Sequence, residues 1–66
     1  MKIQLTNNEW VEPSAILCYE ENHNGYPVVR LVGNIIRIIA KLPSESNRDA
    51  VERISKQVNE SRKMYL

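Results

Sequence analysis

Sixty-six residues, 42% of them hydrophobic and 26% charged, make one domain, residues 1–66, that is too short to bury much more than about 60% of its unfolded surface. Nine basic against eight acidic side chains leave a formal charge of +1, which excludes a chain-wide field for DNA, RNA or an anionic membrane. One cysteine and one histidine, with no CxxC and no HxxxH, exclude an internal disulfide and any metal site of recognisable spacing.

Small domains offset a thin core with disulfides, a metal or a partner chain. Here only the partner chain remains. The charge is uneven: residues 1–25 carry Lys2 against Glu9, Glu12, Glu20 and Glu21, while residues 26–66 carry eight basic and four acidic side chains. The N-terminus has no basic stretch followed by an apolar one, and no apolar run approaches the ~18 residues of a membrane span. A single unpaired cysteine points to a reducing, cytoplasmic setting. The expectation is a cytoplasmic chain with no signal peptide, no membrane contact and no cofactor.

The first strand spans about 2–6, with Met1, Ile3 and Leu5 on one side and Lys2, Gln4 and Thr6 on the other. Asn7-Asn8 can supply left-handed turn geometry, which returns Trp10 and Val11 in a second strand over about 9–12. A rival reading takes Thr6-Asn7-Asn8-Glu9 as a capping box, but Pro13 arrives too soon for a long helix. The hairpin is preferred.

Glu12-Pro13-Ser14 makes a corner, because proline fixes φ and cannot donate to a ladder. A third strand follows over about 16–22, and Asn24-Gly25 is the strongest short-range hairpin signal in the chain. The fourth strand covers about 28–32. Gly33-Asn34 reads as a type II′ turn into a fifth strand over about 35–42.

A helix over about 47–63 comes last. Ser46 caps it with Asp49 three residues on, after Pro43 has ended the strand. Ala50, Val51, Ile54 and Val58 form an apolar stripe that Tyr65 can extend. Asp49–Arg53 and Glu52–Lys56 are spaced as i,i+4 ion pairs, and Arg62 and Lys63 sit where the helix dipole favours cations. The fold class is α+β: an antiparallel sheet of four to five strands with one C-terminal helix packed on one face.

A two-residue turn at Gly33-Asn34 pairs Val32 with Ile35, Leu31 with Ile36, Arg30 with Arg37, Val29 with Ile38 and Val28 with Ile39. One face then holds Ile16, Cys18, Val29, Leu31, Ile36, Ile38, Ala40 and Leu42, apolar enough to take the helix. The other holds Leu17, Tyr19, Glu21, Tyr26, Val28, Arg30, Val32, Ile35, Arg37, Ile39 and Lys41. That second face mixes β-branched residues and tyrosines with three cations, unlike a plain polar face turned to water.

Arg30 and Arg37 opposite each other, extended by Lys41 and flanked by Tyr19 and Tyr26, form a candidate anion or nucleic-acid contact. The plainer reading pairs Arg30 with Glu21 and treats both arginines as guards against aggregation. Ile35, Ile39 and Trp10 supply the apolar part of a candidate protein interface, unless the hairpin carrying Trp10 folds over the face as a second core. Cys18 reads as a small buried hydrophobe without a basic neighbour, and His23 as a solvated turn residue without a carboxylate. No GxGxxG, P-loop or Ser/His/Asp arrangement exists, so no catalytic residue is named.

The order of signals resembles that of small FlbD-type flagellar proteins. The matching stretches are Leu5-Thr6-Asn7-Asn8-Glu9-Trp10-Val11-Glu12-Pro13, then Val28 to Gly33, then Asp49-Ala50-Val51-Glu52-Arg53-Ile54. Most of the chain is covered, although Asn7-Asn8 stands where the family usually has Asn-Gly. LytTR-type DNA-binding domains share a similar local rhythm. The resemblance implies architecture and carries over no functional residue. The function expected from the residues is that of a non-enzymatic interaction protein, a homodimer that regulates or inhibits a larger partner by binding. The alternative is a nucleic-acid or phosphate-ligand binder using Arg30, Arg37 and Lys41.

Overall fold

In the computed structural model, which describes residues 2–63, two antiparallel sheets share one helix. The first sheet is a hairpin of β1 (Ile3–Thr6) and β2 (Glu9–Val11). The second has three strands in the order β3 (Ile16–His23), β4 (Tyr26–Leu31) and β5 (Ile35–Ile38). A 3₁₀ turn at Pro13–Ala15 joins β2 to β3, and α1 (Asn47–Lys63) packs on both sheets. The α+β class holds, with the five strands divided two and three rather than forming one sheet. β5 stops at Ile38, short of the expected 42. Beyond it the Ile39 amide donates to the Pro27 carbonyl at 2.9 Å and the Ala40 amide to the Leu5 carbonyl at 2.8 Å. This is where the chain ties the second sheet to the first.

The first turn is the hairpin and not a helical turn. Neither Asn7 nor Asn8 has positive φ, so the left-handed geometry expected of them is not used. A turn of the other hand splays its strands unless the ladder adjusts, and the β1–β2 pairing slips between Gln4 and Thr6. The second turn follows its sequence closely. Asn24 (φ 54) and Gly25 (φ 88) are both left-handed, as a type I′ turn requires, between paired His23 and Tyr26.

At the third turn the structure departs from expectation. Gly33 (φ 88) and Asn34 (φ 61) are both left-handed, where a type II′ turn needs only the first. Leu31 pairs with Ile35, so Val32, Gly33 and Asn34 together form the loop. The β5 register moves by one residue, and every side chain on it changes face. Ile35-Ile36-Arg37-Ile38-Ile39 presents two isoleucines to either face, so hydrophobic pattern alone does not choose. Two polar contacts favour the observed choice: Arg37 Nε reaches Glu9 Oε2 of β2 at 3.0 Å, and Arg30 donates to Asn34 Oδ1 at 2.8 Å.

The core holds Ile3, Leu5, Ile16, Val29, Leu31, Ile39, Ala50, Ile54 and Val58, with Val11, Tyr19 and Val51 at its margin. The helix stripe is the one its spacing indicates; Tyr65, proposed to extend it, and Met1 of the first strand lie outside the described residues. Ser46 Oγ accepts the Asp49 amide at 3.1 Å and its carbonyl the Ala50 amide at 3.0 Å, so the expected cap is in place. The expected pairs Asp49–Arg53 and Glu52–Lys56 do not form. Arg53 instead forks onto Glu45 (Nε to Oε2 2.9 Å, Nη2 to Oε1 3.1 Å) and donates to the Ala40 carbonyl at 3.0 Å. Arg48 takes Glu52 at 3.2 Å. Glu45 also accepts the Leu42 amide at 2.9 Å. The Arg53 guanidinium, and then the Leu42 amide, hold its carboxyl below the usual carboxylate range. One carboxylate thereby fastens the 39–46 connection to the helix.

Candidate interaction surface

Cross-strand pairing sorts the three-stranded sheet into rungs. Ile16–Leu31–Ile35 and Tyr19–Val29–Arg37 face the helix side, and Pro27 and Ile39 continue that face. Cys18–Arg30–Ile36 and Glu20–Val28–Ile38 face outward, followed by His23–Tyr26. The β3 ladder slips between Ile16 and Cys18, which leaves Leu17 as an extra residue. A bulge of this kind reverses parity. It lets both Ile16 and Tyr19 meet the helix, and it turns Cys18 away.

The outer face has an apolar half and a polar half. Val28 is only 1% exposed there, although the helix and the first hairpin lie on the other side. Ile38 is 46% and Tyr26 54% exposed, and Ile36 is half-buried. Beside them runs a chain of polar groups. His23 Nδ1 donates to Glu20 Oε2 at 3.0 Å, Arg30 Nη2 to Glu20 Oε1 at 3.1 Å, and Arg30 Nη1 to Asn34 Oδ1 at 2.8 Å. The hydrogen bond from Arg30, more than any other influence, lowers the Glu20 pKa, and Glu20 raises that of Arg30 in return.

Of the eight residues singled out from the sequence, only Arg30 and Tyr26 stand on this face. Arg37 is on the helix side, bound to Glu9, so the two arginines do not oppose each other and share no patch. The partner of Arg30 is Glu20 and not Glu21. Lys41 is exposed in the connection after Ile39. Ile39 is buried in the core at 1% exposure. Tyr19 is half-buried against the helix; burial raises its pKa, opposed by Ser55 and the Arg62 charge. Ile35 is exposed at the end of the sheet, and Trp10 is 55% exposed, paired with Gln4 on the side of the hairpin opposite Ile3 and Val11. Trp10 therefore closes no second core.

Three members were missed. A two-residue turn at Gly33-Asn34 puts Ile36 and Ile38 on the core face, and the three-residue loop turns them outward. An unbroken β3 puts Cys18 on the core face too, and nothing in Ile16-Leu17-Cys18-Tyr19 announces the bulge. Cys18 is exposed, with Arg30 as its cross-strand neighbour, so a thiol reagent can reach it in the folded chain. His23, too, has the carboxylate partner that its turn position did not suggest. Among the described residues no group of three or more His, Cys, Asp or Glu side chains could hold a metal ion, and no helix is long and apolar enough to cross a membrane. Comparison with family models, with characterised proteins and with solved structures finds no match.

Proposed function

We propose that the chain is a non-enzymatic, cytoplasmic protein-interaction module that regulates or inhibits by binding, and that it meets another polypeptide through the outer face of its three-stranded sheet. The observation that carries this reading is the exposure of Tyr26 and Ile38, with half-buried Ile36, on the sheet face that the helix leaves open. An apolar centre edged by Glu20, His23 and Arg30 has the core-and-rim order of a protein interface. A core of nine residues among those described leaves so small a chain with reason to bury more surface. The arginines no longer favour an anion site, because each already faces a carboxylate on a separate face.

A photo-crosslinking residue placed at Ile36, with Glu60 on α1 as the control position, tests the reading in cells of the native host. Adducts with protein from position 36 and none from position 60 are expected. Equal labelling from both positions, or none from 36, would remove the basis for the assignment.

A further inference from the structure

We infer that Asn24 is a site of self-modification: it loses its side-chain amide through a succinimide formed with the Gly25 nitrogen, at a rate that Asn22 and Asn47 set. Asn24 is the one asparagine of seven that a glycine follows. Glycine leaves the attacking nitrogen unshielded, since it has no Cβ, and the surroundings add no shield. Asn22, Asn24 and Gly25 are all exposed, and a Cβ on Gly25 would meet no atom within 4 Å. Water and hydroxide therefore reach the turn freely.

In the reaction a solvent base takes the Gly25 amide proton, and the nitrogen attacks Asn24 Cγ. The bond from Cγ to Nδ2 breaks and ammonia leaves, which closes the succinimide ring. Water then opens the ring at either carbonyl. One opening yields aspartate; the other yields isoaspartate, with the main chain routed through Cβ. Nothing is oxidised or reduced: an amide and a water become a carboxylate and ammonium.

The fold opposes ring closure in three ways. Asn24 (φ 54) and Gly25 (φ 88) form the type I′ turn, in which ψ of the first central residue is about +30°; the succinimide needs that torsion swung to the opposite sign. Asn22 Oδ1 accepts the Gly25 amide at 2.9 Å, so the proton that must leave is held against a neutral acceptor. Asn47 Nδ2, on the first residue of α1, donates to the Gly25 carbonyl at 3.0 Å and ties the turn to the helix. Both contacts have to part before the nitrogen can turn on Cγ. Because the site is bare to solvent, its rate follows the local opening of this turn. Asn34 is the internal comparison. It is also left-handed, at φ 61, but the branched side chain of Ile35 crowds the nitrogen that would attack. Modification also bears on the fold. Isoaspartate adds an atom to the main chain between paired His23 and Tyr26, and either product adds a carboxylate at the end of the β3–β4 hairpin.

Ageing the purified chain at mildly alkaline pH, followed by chromatography and mass spectrometry of the peptide that carries Asn24, tests the inference. Asn24 should react ahead of the other asparagines and give isoaspartate together with aspartate, a mixture that direct hydrolysis of the amide does not produce. The folded chain should react about 10-fold or more slowly than the same chain in denaturing urea. Asn22→Ala and Asn47→Ala should each speed the folded reaction by about 2- to 10-fold, the weight of one hydrogen bond. Far-ultraviolet circular dichroism confirms that each variant folds; if one does not, the comparison of the unaltered chain with and without urea decides. Another asparagine reacting first, or a product without isoaspartate, would overturn the site. Equal rates with and without urea, or a rate unmoved by both substitutions, would overturn the part given to the turn and its two contacts.

Discussion

The two faces of the three-stranded sheet are made from the same strands and much the same residue types, yet one is closed and the other is open. On the helix side, Ile16, Val29, Leu31 and Ile39 meet Ala50, Ile54 and Val58. On the outer side, Ile38 and Tyr26 are about half exposed and Ile36 is half-buried, while Val28 between the strands of Glu20 and Ile38 is itself closed off from solvent. Ile38 and Ile39 are neighbours in sequence and chemically identical, but one is 46% and the other 1% exposed. Their roles are set by parity, and parity is set by one residue in the turn before them. Hydrophobicity alone describes neither face; the register does.

The largest expected contrast lies between those two isoleucines. Ile39→Ala should destabilise the fold by about 2–5 kcal/mol, the range for a buried isoleucine that leaves a cavity. Ile38→Ala in the monomer should cost only about 1 kcal/mol. Urea unfolding reads both as shifts in midpoint at unchanged slope, and equal costs would break the distinction between the faces.

A second contrast sets the ion pair of the core side against that of the outer face. Glu45 and Arg53 are 11% and 26% exposed, and their contacts also hold the Leu42 amide and the Ala40 carbonyl. Glu20 and Arg30 are 38% and 30% exposed, and beyond each other they reach only the side chains of His23 and Asn34, with no backbone group held. Arg53→Gln should therefore lower Tm more than Arg30→Gln does. Both carboxyls titrate below their ordinary value of 4.5 when folded, so each stabilises the fold above that pH. That contribution is lost as pH falls through the depressed folded value. A plot of Tm against pH should drop on the acid side in the unaltered chain, and Glu45→Gln should flatten part of the drop. An unchanged slope would mean that Glu45 has no special state in the fold.

The smallest effect belongs to the connection between sheet and helix. Ser44 is left-handed at φ 66, a conformation that costs a residue with a Cβ about 1–2 kcal/mol. Glycine gives back part of that gain through its greater freedom in the unfolded chain. Ser44→Gly should raise stability by up to about 1 kcal/mol in the same urea experiment, and a loss would show that the serine side chain matters there.

Much of this fold was legible in the residues, and for identifiable reasons. Asn24-Gly25 has few conformations open to it other than a type I′ turn, and the turn is there. Ser46, Asp49 and the stripe Ala50, Ile54, Val58 define the helix, its cap and its buried side. The register of β5 was not legible, because isoleucine stands on both parities and Gly33-Asn34 suits a loop of two residues or three. The Leu17 bulge was not legible either, since it is stabilised by what Ile16 and Tyr19 gain against the helix, a tertiary effect. These two slips sent Cys18, Ile36 and Ile38 outward and Ile39 inward. Of the residues expected on the uncovered face, Tyr26, Val28 and Arg30 stand on the outer side, whereas Tyr19, Ile35, Arg37 and Ile39 lie on the helix side.

The β4–β5 register is the claim on which both faces depend, and a nuclear Overhauser spectrum of the hairpin tests it directly. Cross-strand contacts between Val28 and Ile38 and between Arg30 and Ile36 are expected. Contacts between Val28 and Ile39 and between Arg30 and Arg37 would contradict the structure, return the two arginines to one face, and take Ile36 and Ile38 off the outer surface.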